Sequence, residues 1–264
     1  MPLKRRGVLQ DGRTAQVMKK IGLDDAIHGE FGYSTALTLT DEELAFLRQA
    51  IRVQWLYRLQ LLTPQNLKEF DALGVDRYHT ISHLIDHSKA WPKTARVFPR
   101  EVVARLREMP FFQQLAADFG PFKLSDEENF GWENVYWRLV RPGNTDIGPI
   151  HSDKWFWDLG HGRMPDYPCE RVKVWIGIYT APGKNGLLVI PGSHRRDDWK
   201  WHEEERFGMR KPVFDEKPEE LDVRLLELKP GQAVVFHDKL LHGGAANQAD
   251  SCRVSMEFTL FSRK

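Results

Sequence analysis

The apolar residues of the first half fall at helical spacing. In "TDEELAFLRQAIRVQWLYRLQLL" Leu44, Leu47, Ile51, Trp55 and Leu59 recur every three or four residues, which places them on one stripe of a helix. Thr40 followed three residues later by Glu43 is a capping-box pattern, so a long amphipathic helix is predicted to start there. "PREVVARLREMPFFQQLAADFG" predicts a second helical stretch, broken at Pro110 and ended at Gly120. Neither stretch carries a spacing suited to binding a ligand.

From about residue 133 the period shortens toward two. In "RVKVWIGIYTA" Val172, Val174, Ile176 and Ile178 alternate with Lys173, Trp175, Gly177 and Tyr179. In "SCRVSMEFTLF" Cys252, Val254, Met256, Phe258 and Leu260 alternate with Arg253, Ser255, Glu257, Thr259 and Phe261. Alternation of this kind predicts strands with two distinct faces. Shorter runs at "NVYWRLV", the segment entering His151, "GLLVI", "VRLLEL", "QAVVF" and "LLHGGA" are separated by the turn signals "RPGN", "APGKNG" and "KPGQ". Short strands with few helices between them predict an antiparallel sandwich or jelly roll rather than a parallel sheet. The expected organisation is one domain over residues 1–264: a largely helical part over 1–130 and a jelly-roll core over 133–262, with an insertion at about 195–220.

Composition narrows the function classes. A chain of 264 residues, 41% of them apolar, can bury a sizeable core. The 38 basic and 37 acidic residues leave a formal charge of +1, which removes any global electrostatic case for nucleic acid or an anionic membrane, so an anion site must be local. Two cysteines, Cys169 and Cys252, are too few for a disulfide framework. The start "MPLKRRGVLQDGR" lacks an apolar leader segment, and no run approaches the roughly 18 apolar residues of a membrane span. A reducing, cytoplasmic location is the expectation, with peripheral membrane association left open and no expectation of oligomeric state.

The candidate chemistry sits in "GPIHSDKWFWD". On a strand, His151 and Asp153 would point to the same side and present an imidazole and a carboxylate to one point. A third ligand is available downstream, where "VVFHDKLLHGGAANQADSCRVS" offers His237 and His242. Two histidines and one carboxylate on one face of a metal leave open positions opposite, the arrangement of non-haem Fe(II) oxygenases. A lone His-x-Asp is a weak signal. It is strengthened by Arg253 and Ser255, two apart on one strand face, which suit a bidentate grip on a carboxylate and hence a dicarboxylate cosubstrate.

In order along the chain, "HSD" at 151–153, "VWIGIYTAPGKNGLLVIPGSHRRD" at 174–197, "KPGQAVVFHDKLLHGG" at 229–244 and "RVS" at 253–255 resemble the phytanoyl-CoA dioxygenase-like Fe(II)/2-oxoglutarate oxygenases. The resemblance covers about half the chain and adds little to the N-terminal helices. It implies a double-stranded β-helix core, jelly roll and cupin-like. It further implies His151, Asp153 and His242 as catalytic iron ligands, Arg253 with Ser255 as the clamp on the distal carboxylate of 2-oxoglutarate, and Trp175 as a wall of that pocket. Fe(II) is then the metal, with 2-oxoglutarate and O2 as cosubstrates. The implied reaction couples oxidative decarboxylation to succinate with hydroxylation of a substrate carbon. Halogenation is disfavoured because Asp153 stands where related halogenases carry a small residue. By the same resemblance His237 is structural and His194, in "PGSH", shapes a turn through hydrogen bonds. His161 and His202 read as solvated or substrate-side.

Two segments lie where such enzymes meet substrate, "KWFWDLGHGRMPDYP" and the long "HRRDDWKWHEEERFGMRKPVFDEKPEEL". Lys154, Trp155, Trp157, Arg195, Arg196 and Lys211 offer flat aromatic faces beside cations, which suit a polar anionic small molecule or glycan. An acidic sugar such as Kdo of an envelope glycolipid is the specific expectation; an amino acid or an acyl thioester is the alternative. The same composition also fits a charged helical lid that uses its tryptophans to anchor itself. Two other classes remain open: a cupin-like zinc isomerase or hydrolase, which would not need the Arg253–Ser255 clamp, and a binding jelly roll without a metal.

Overall fold

The computed structural model describes residues 22–143, 146–206 and 208–263. The basic N-terminal stretch lies outside the described residues. Seven α-helices are present among them: α1 (Leu23–His28), α2 (Asp41–Leu62), α3 (Leu67–Leu73), α4 (His87–Ala90), α5 (Arg100–Arg107), α6 (Pro110–Phe119) and α7 (Asp153–Asp158). The strands are β1 (Tyr33–Ser34), β2 (Phe122–Leu124), β3 (Tyr136–Val140), β4 (Cys169–Tyr179), β5 (Leu187–Val189), β6 (Trp201–Arg206), β7 (Met209–Phe214), β8 (Arg224–Leu225), β9 (Ala233–His237), β10 (His242–Gly244) and β11 (Arg253–Arg263).

Helix α2 begins as its sequence dictates. The Thr40 hydroxyl accepts from the Glu43 N–H, and the Glu43 carboxylate accepts from the Thr40 N–H. Glu43 also accepts from the Phe111 N–H at 2.8 Å, which ties the start of α2 to α6. Leu47, Ile51, Trp55 and Leu59 are fully buried. The second helical stretch is two helices, α5 and α6, with Pro110 opening α6 and Gly120 closing it in a left-handed conformation, φ 70°.

The helices cover one face of a six-stranded antiparallel sheet ordered β1-β9-β4-β11-β2, with β3 also paired to β11. Val172, Val174, Ile176 and Ile178 of β4, and Val254, Met256, Phe258 and Leu260 of β11, pack into the core beneath those helices. The opposite face meets a three-stranded sheet ordered β10-β5-β8. Trp175, Leu187, Val189, Leu228, Val234, Phe236 and Leu240 fill the space between the two sheets. This is an open jelly roll without a closed barrel, as the alternation predicts.

Before residue 130 the described residues carry six α-helices, and the short β1 and β2 join the main sheet. Two expectations need correction. The segment entering His151 forms no strand, only a bridge between His151 and His242. The insertion at about 195–220 is not a helical lid: β6 and β7 pair over Trp201–Arg206 and Met209–Phe214 as a two-stranded hairpin. Trp201 and Phe214, paired at the base of the hairpin, pack on Trp155, while Glu203, Glu205 and Arg210 farther out are exposed.

Candidate active site

His151 and His242 exchange both backbone hydrogen bonds across their bridge, each 2.9 Å, which brings the two imidazoles to a centroid separation of 4.4 Å. The His151 Nδ1 lies 2.8 Å from the Pro149 carbonyl and the His242 Nδ1 3.0 Å from that of Leu240. Those carbonyls accept from Nδ1–H, so each ring directs the lone pair of Nε2 into the site. Asp153 enters by a route the sequence did not indicate. It is the first residue of α7, not the third of a strand, and so faces the histidines from a helix N-terminus. The Ser152 hydroxyl and the Lys154 N–H both donate to the Asp238 carbonyl, at 2.9 and 3.0 Å, and fix that helix start against the end of β9. The Asp153 oxygens lie 3.8 Å from His151 Nε2 and 3.7 Å from His242 Nε2. A single ion about 2.1 Å from each donor can span such distances, and Asp153 Oδ2 is buried without a hydrogen-bond partner.

The electrostatics fit a cation. Burial opposes ionisation of Asp153, but Lys173 and the two imidazoles outweigh it and hold the carboxyl far below its ordinary range. Burial, with His151 beside it, pushes the His242 imidazole down to about 4, which keeps it neutral and able to donate its lone pair.

Behind the triad, Arg253 and Ser255 face inward from β11, beside a register shift between Val254 and Ser255. The Arg253 guanidinium is anchored on the Gly186 carbonyl and, at 3.4 Å, on that of Ala245. Its Nε and the Ser255 hydroxyl are buried without a partner. Two unsatisfied donors two residues apart form a cradle for an acceptor such as a carboxylate. Burial and the nearby Arg138 bring the Arg253 guanidinium down to about 10, a strain that an anion would relieve. Gly244 leaves room, since a Cβ there would lie 3.3 Å from Arg253 Nη2. Trp175 is buried between the sheets, and Phe236 sets its ring edge-on to His242 at 4.7 Å.

The inward face carries charges that sequence reasoning missed. Lys173 Nζ lies 3.7 Å from Asp153 Oδ2 and 3.4 Å from the Tyr136 hydroxyl. Arg138 pairs with Glu257 at 3.4 Å, and Lys93 with Glu127 at 2.6 Å. Despite burial, Lys173 and Lys93 hold Glu127 down to about 2, while burial and Glu257 push the Tyr136 phenol up to about 12. One signal was available: Lys173 sits in the middle of an apolar strand, two residues before Trp175 and on the same face.

The residues expected to meet substrate are spent largely on the protein itself. Trp155 is buried and stacks on Trp201 at 5.4 Å and Phe214 at 5.9 Å, so it anchors the hairpin rather than presenting a face. Trp157 packs edge-on to Phe261, beneath the Arg171 guanidinium. Lys154 is paired with Asp158 at 2.6 Å. Arg196 binds Asp198 and Glu216 and lies over Trp199 at 3.9 Å. Arg195 is exposed at the turn after β5, and Lys211 is half-buried in β7. His161 lies 2.6 Å from the Arg210 carbonyl, and His202 pairs with Asp215 on the exposed hairpin. His194 is buried in the turn after β5 and faces the backbone of His28 and Gly29, though neither ring nitrogen makes a well-formed hydrogen bond.

The model of the family described as "Phytanoyl-CoA dioxygenase (PhyH)" matches residues 64–255, well over half of the chain. The chain belongs to the phytanoyl-CoA dioxygenase family. It is an oxygenase that depends on Fe(II) and 2-oxoglutarate. Solved structures share the fold at low identity. EvdO2 from Micromonospora carbonacea var. aurantiaca, complexed with 2-oxoglutarate, is 18% identical, with 90% of this chain and 89% of that one covered at a TM-score of 0.57. EctD from S. alaskensis, with 2-oxoglutarate and 5-hydroxyectoine, is 19% identical over 90% of this chain and 75% of that one, at 0.54. The apo form of the non-haem monooxygenase ThoJ is 17% identical over 88% and 75%, at 0.53. No curated protein sequence matches the chain. No helix among the described residues is long and apolar enough to cross a membrane.

Proposed function

We propose that His151 Nε2, His242 Nε2 and the Asp153 carboxylate hold the iron, and that the Arg253 guanidinium and Ser255 hydroxyl hold the distal carboxylate of 2-oxoglutarate, with Trp175 as the wall beside it. The observation that carries this reading is the convergence of three donors, each orphaned or turned inward, in front of two buried donors without acceptors. Iron and 2-oxoglutarate, when bound, supply oxidation of a substrate C–H bond coupled to decarboxylation of the 2-oxo acid. The protein's share is positional. Pro149 and Leu240 set the imidazole tautomers, Lys173 keeps Asp153 ionised, and Phe236 and Trp175 keep water from the pocket. Hydroxylation is the outcome we propose, since a carboxylate occupies the third ligand position.

The test is release of succinate by anaerobically iron-loaded protein on admission of oxygen. His151→Ala, Asp153→Ala and His242→Ala should each abolish it and weaken Fe(II) binding, because a three-point site needs every ligand. Iron retained in His242→Ala but lost in His237→Ala would overturn the ligand choice.

For the substrate we propose a polar, anionic small molecule, an acidic sugar such as Kdo being the specific form to test. Two features support polarity: the buried ionic cluster of Lys173, Tyr136 and Glu127 beside the triad, and the presence of 5-hydroxyectoine, a small polar molecule, in the EctD structure. The anionic part rests on Arg195, exposed at the turn after β5, because Lys154 and Arg196 already have acidic partners. Substrate-stimulated succinate release should rank acidic sugars above amino acids and acyl thioesters. A preference for neutral aliphatic substrates would end this reading while leaving the ligand assignment intact.

A further inference from the structure

A second group of metal-type donors stands apart from the triad, where the end of α1, the start of β4 and the end of β9 meet. His28 Nε2 lies 2.7 Å from Glu170 Oε1, and His237 Nε2 lies 3.7 Å from the same oxygen. The three donor atoms fall within 4.8 Å of one another, and the two imidazoles stand edge to face with centroids 5.6 Å apart. The tautomers limit what can lie between them. The Asp24 carbonyl, 2.9 Å from His28 Nδ1, accepts from that N–H, so a neutral His28 would aim the lone pair of Nε2 at a carboxylate oxygen. Acceptor against acceptor needs a cation between them, either a proton or a metal ion.

The group has the surroundings of a metal site. The Lys239 N–H donates to His237 Nδ1 at 3.1 Å, so a neutral His237 carries its proton on Nε2, toward Glu170, while Asp238 Oδ1 lies 3.2 Å from the same Nδ1. An ion at Nε2 displaces that proton to Nδ1, where the Lys239 hydrogen bond gives way and Asp238 becomes the acceptor, the outer carboxylate that histidine ligands commonly have. A third imidazole, His194, packs against the group. This imidazole is only 4% exposed, its ring centroid is 5.4 Å from that of His237, and it faces the backbone of His28 and Gly29 without a well-formed hydrogen bond. Gly32 lets it sit there, since a Cβ at that position would lie 2.3 Å from His194 Nδ1. Burial, with His237 and Arg195 nearby, brings it down to about 4, so it is neutral at pH 7.

We propose that His28, Glu170 and His237 form a second site for a borderline divalent ion of the zinc class, distinct from the iron triad. Two imidazoles and one carboxylate match that ion's preferences, and the exposed side of His28 leaves a position for water. Binding releases the proton that His28 and Glu170 otherwise share. The ion would clasp α1 to β4 and β9, and the clasp reaches the triad through Asp238, whose side chain lies against His237 and whose carbonyl holds Ser152 and Lys154 on either side of Asp153.

The experiment uses the full chain carrying Asp153→Ala and His242→Ala, so that the triad cannot compete, titrated with Co(II) and followed by visible absorption. One equivalent should bind, be displaced by Zn(II), and weaken by at least about 10- to 100-fold on adding His28→Ala or Glu170→Gln, the loss known even for outer carboxylate partners. In the otherwise unmutated chain the stoichiometry should fall from two to one with Glu170→Gln, which covers the case in which the multiple variants fail to fold. No Co(II) bound in the triad-deleted protein, or affinity unchanged by His28→Ala and Glu170→Gln, would overturn the proposal. Either result is independent of succinate release by the iron-loaded enzyme.

Discussion

An arginine buried with one nitrogen unsatisfied makes a stronger statement about a ligand than an arginine merely near a site. Arg253 is 2% exposed and fixed at one end by two backbone carbonyls, so its Nε and the Ser255 hydroxyl can only face inward. Arg253→Lys keeps the charge but cannot both hold those carbonyls and present a donor to a carboxylate. Losing one charge-assisted hydrogen bond, about 1.5 to 3 kcal/mol, should raise the 2-oxoglutarate KM roughly tenfold or more. Fe(II) affinity, measured separately under anaerobic conditions, should change little. A KM equal to that of the unmutated enzyme would remove 2-oxoglutarate from this cradle.

At the scale of elements, two contacts hold pieces of the molecule that are far apart in sequence. Glu43 serves α2 and α6 at once, its two oxygens accepting from the Thr40 and Phe111 N–H groups. Glu43→Ala leaves both donors without an acceptor in a buried place, and should lower stability by about 2 to 4 kcal/mol, read as a shifted urea midpoint with an unchanged slope. Thr40→Ala, which removes one cap bond only, should cost about 1 kcal/mol. The second contact is Trp155 of α7 against Trp201 and Phe214 of the hairpin. Trp155→Ala should cost about 3 kcal/mol or more and open residues 199–215 to protease. A hairpin that stays protected in that variant would show that its own ion pairs, not the aromatic stack, hold it down.

For the whole molecule, the buried histidines contribute to the response to acid. His194 is held down to about 4 in the fold, against an ordinary value of 6.5, chiefly by burial. Its neutral form is therefore the one the fold favours. The stability this contributes is fully present above pH 6.5 and is lost as pH falls from 6.5 through 4, amounting to about 3 kcal/mol for this group. Thermal midpoints of the metal-free protein should fall across that window, and His194→Leu should flatten the fall by about one proton's worth of slope. An equally steep fall in His194→Leu would place the acid sensitivity elsewhere, with His242, also held down to about 4, as the remaining buried imidazole.

Much of this protein is legible locally. The stripe on α2, its capping box, the break at Pro110 and the two faces of β4 and β11 are patterns over a few residues, and each records which side of an element is buried. The letters of the candidate site are legible in the same way, as a short ordered series from His151 to Ser255. Only the tertiary structure decided how those letters meet. Asp153 was expected on a strand with His151 and stands instead at the start of α7, because Ser152 and Lys154 are held by Asp238, more than eighty residues away. Lys173 could be assigned a face from its strand, but not Asp153 as its partner. Trp155, Lys154 and Arg196 look from composition like groups waiting for a ligand, and the fold supplies them with Trp201, Asp158 and Glu216. The physical reason is common to all of these. Periodicity is set by the geometry of one element and fixes a side chain's direction, whereas the partner of a buried charge depends on strand order and register, which bring distant residues together and leave no trace in local spacing.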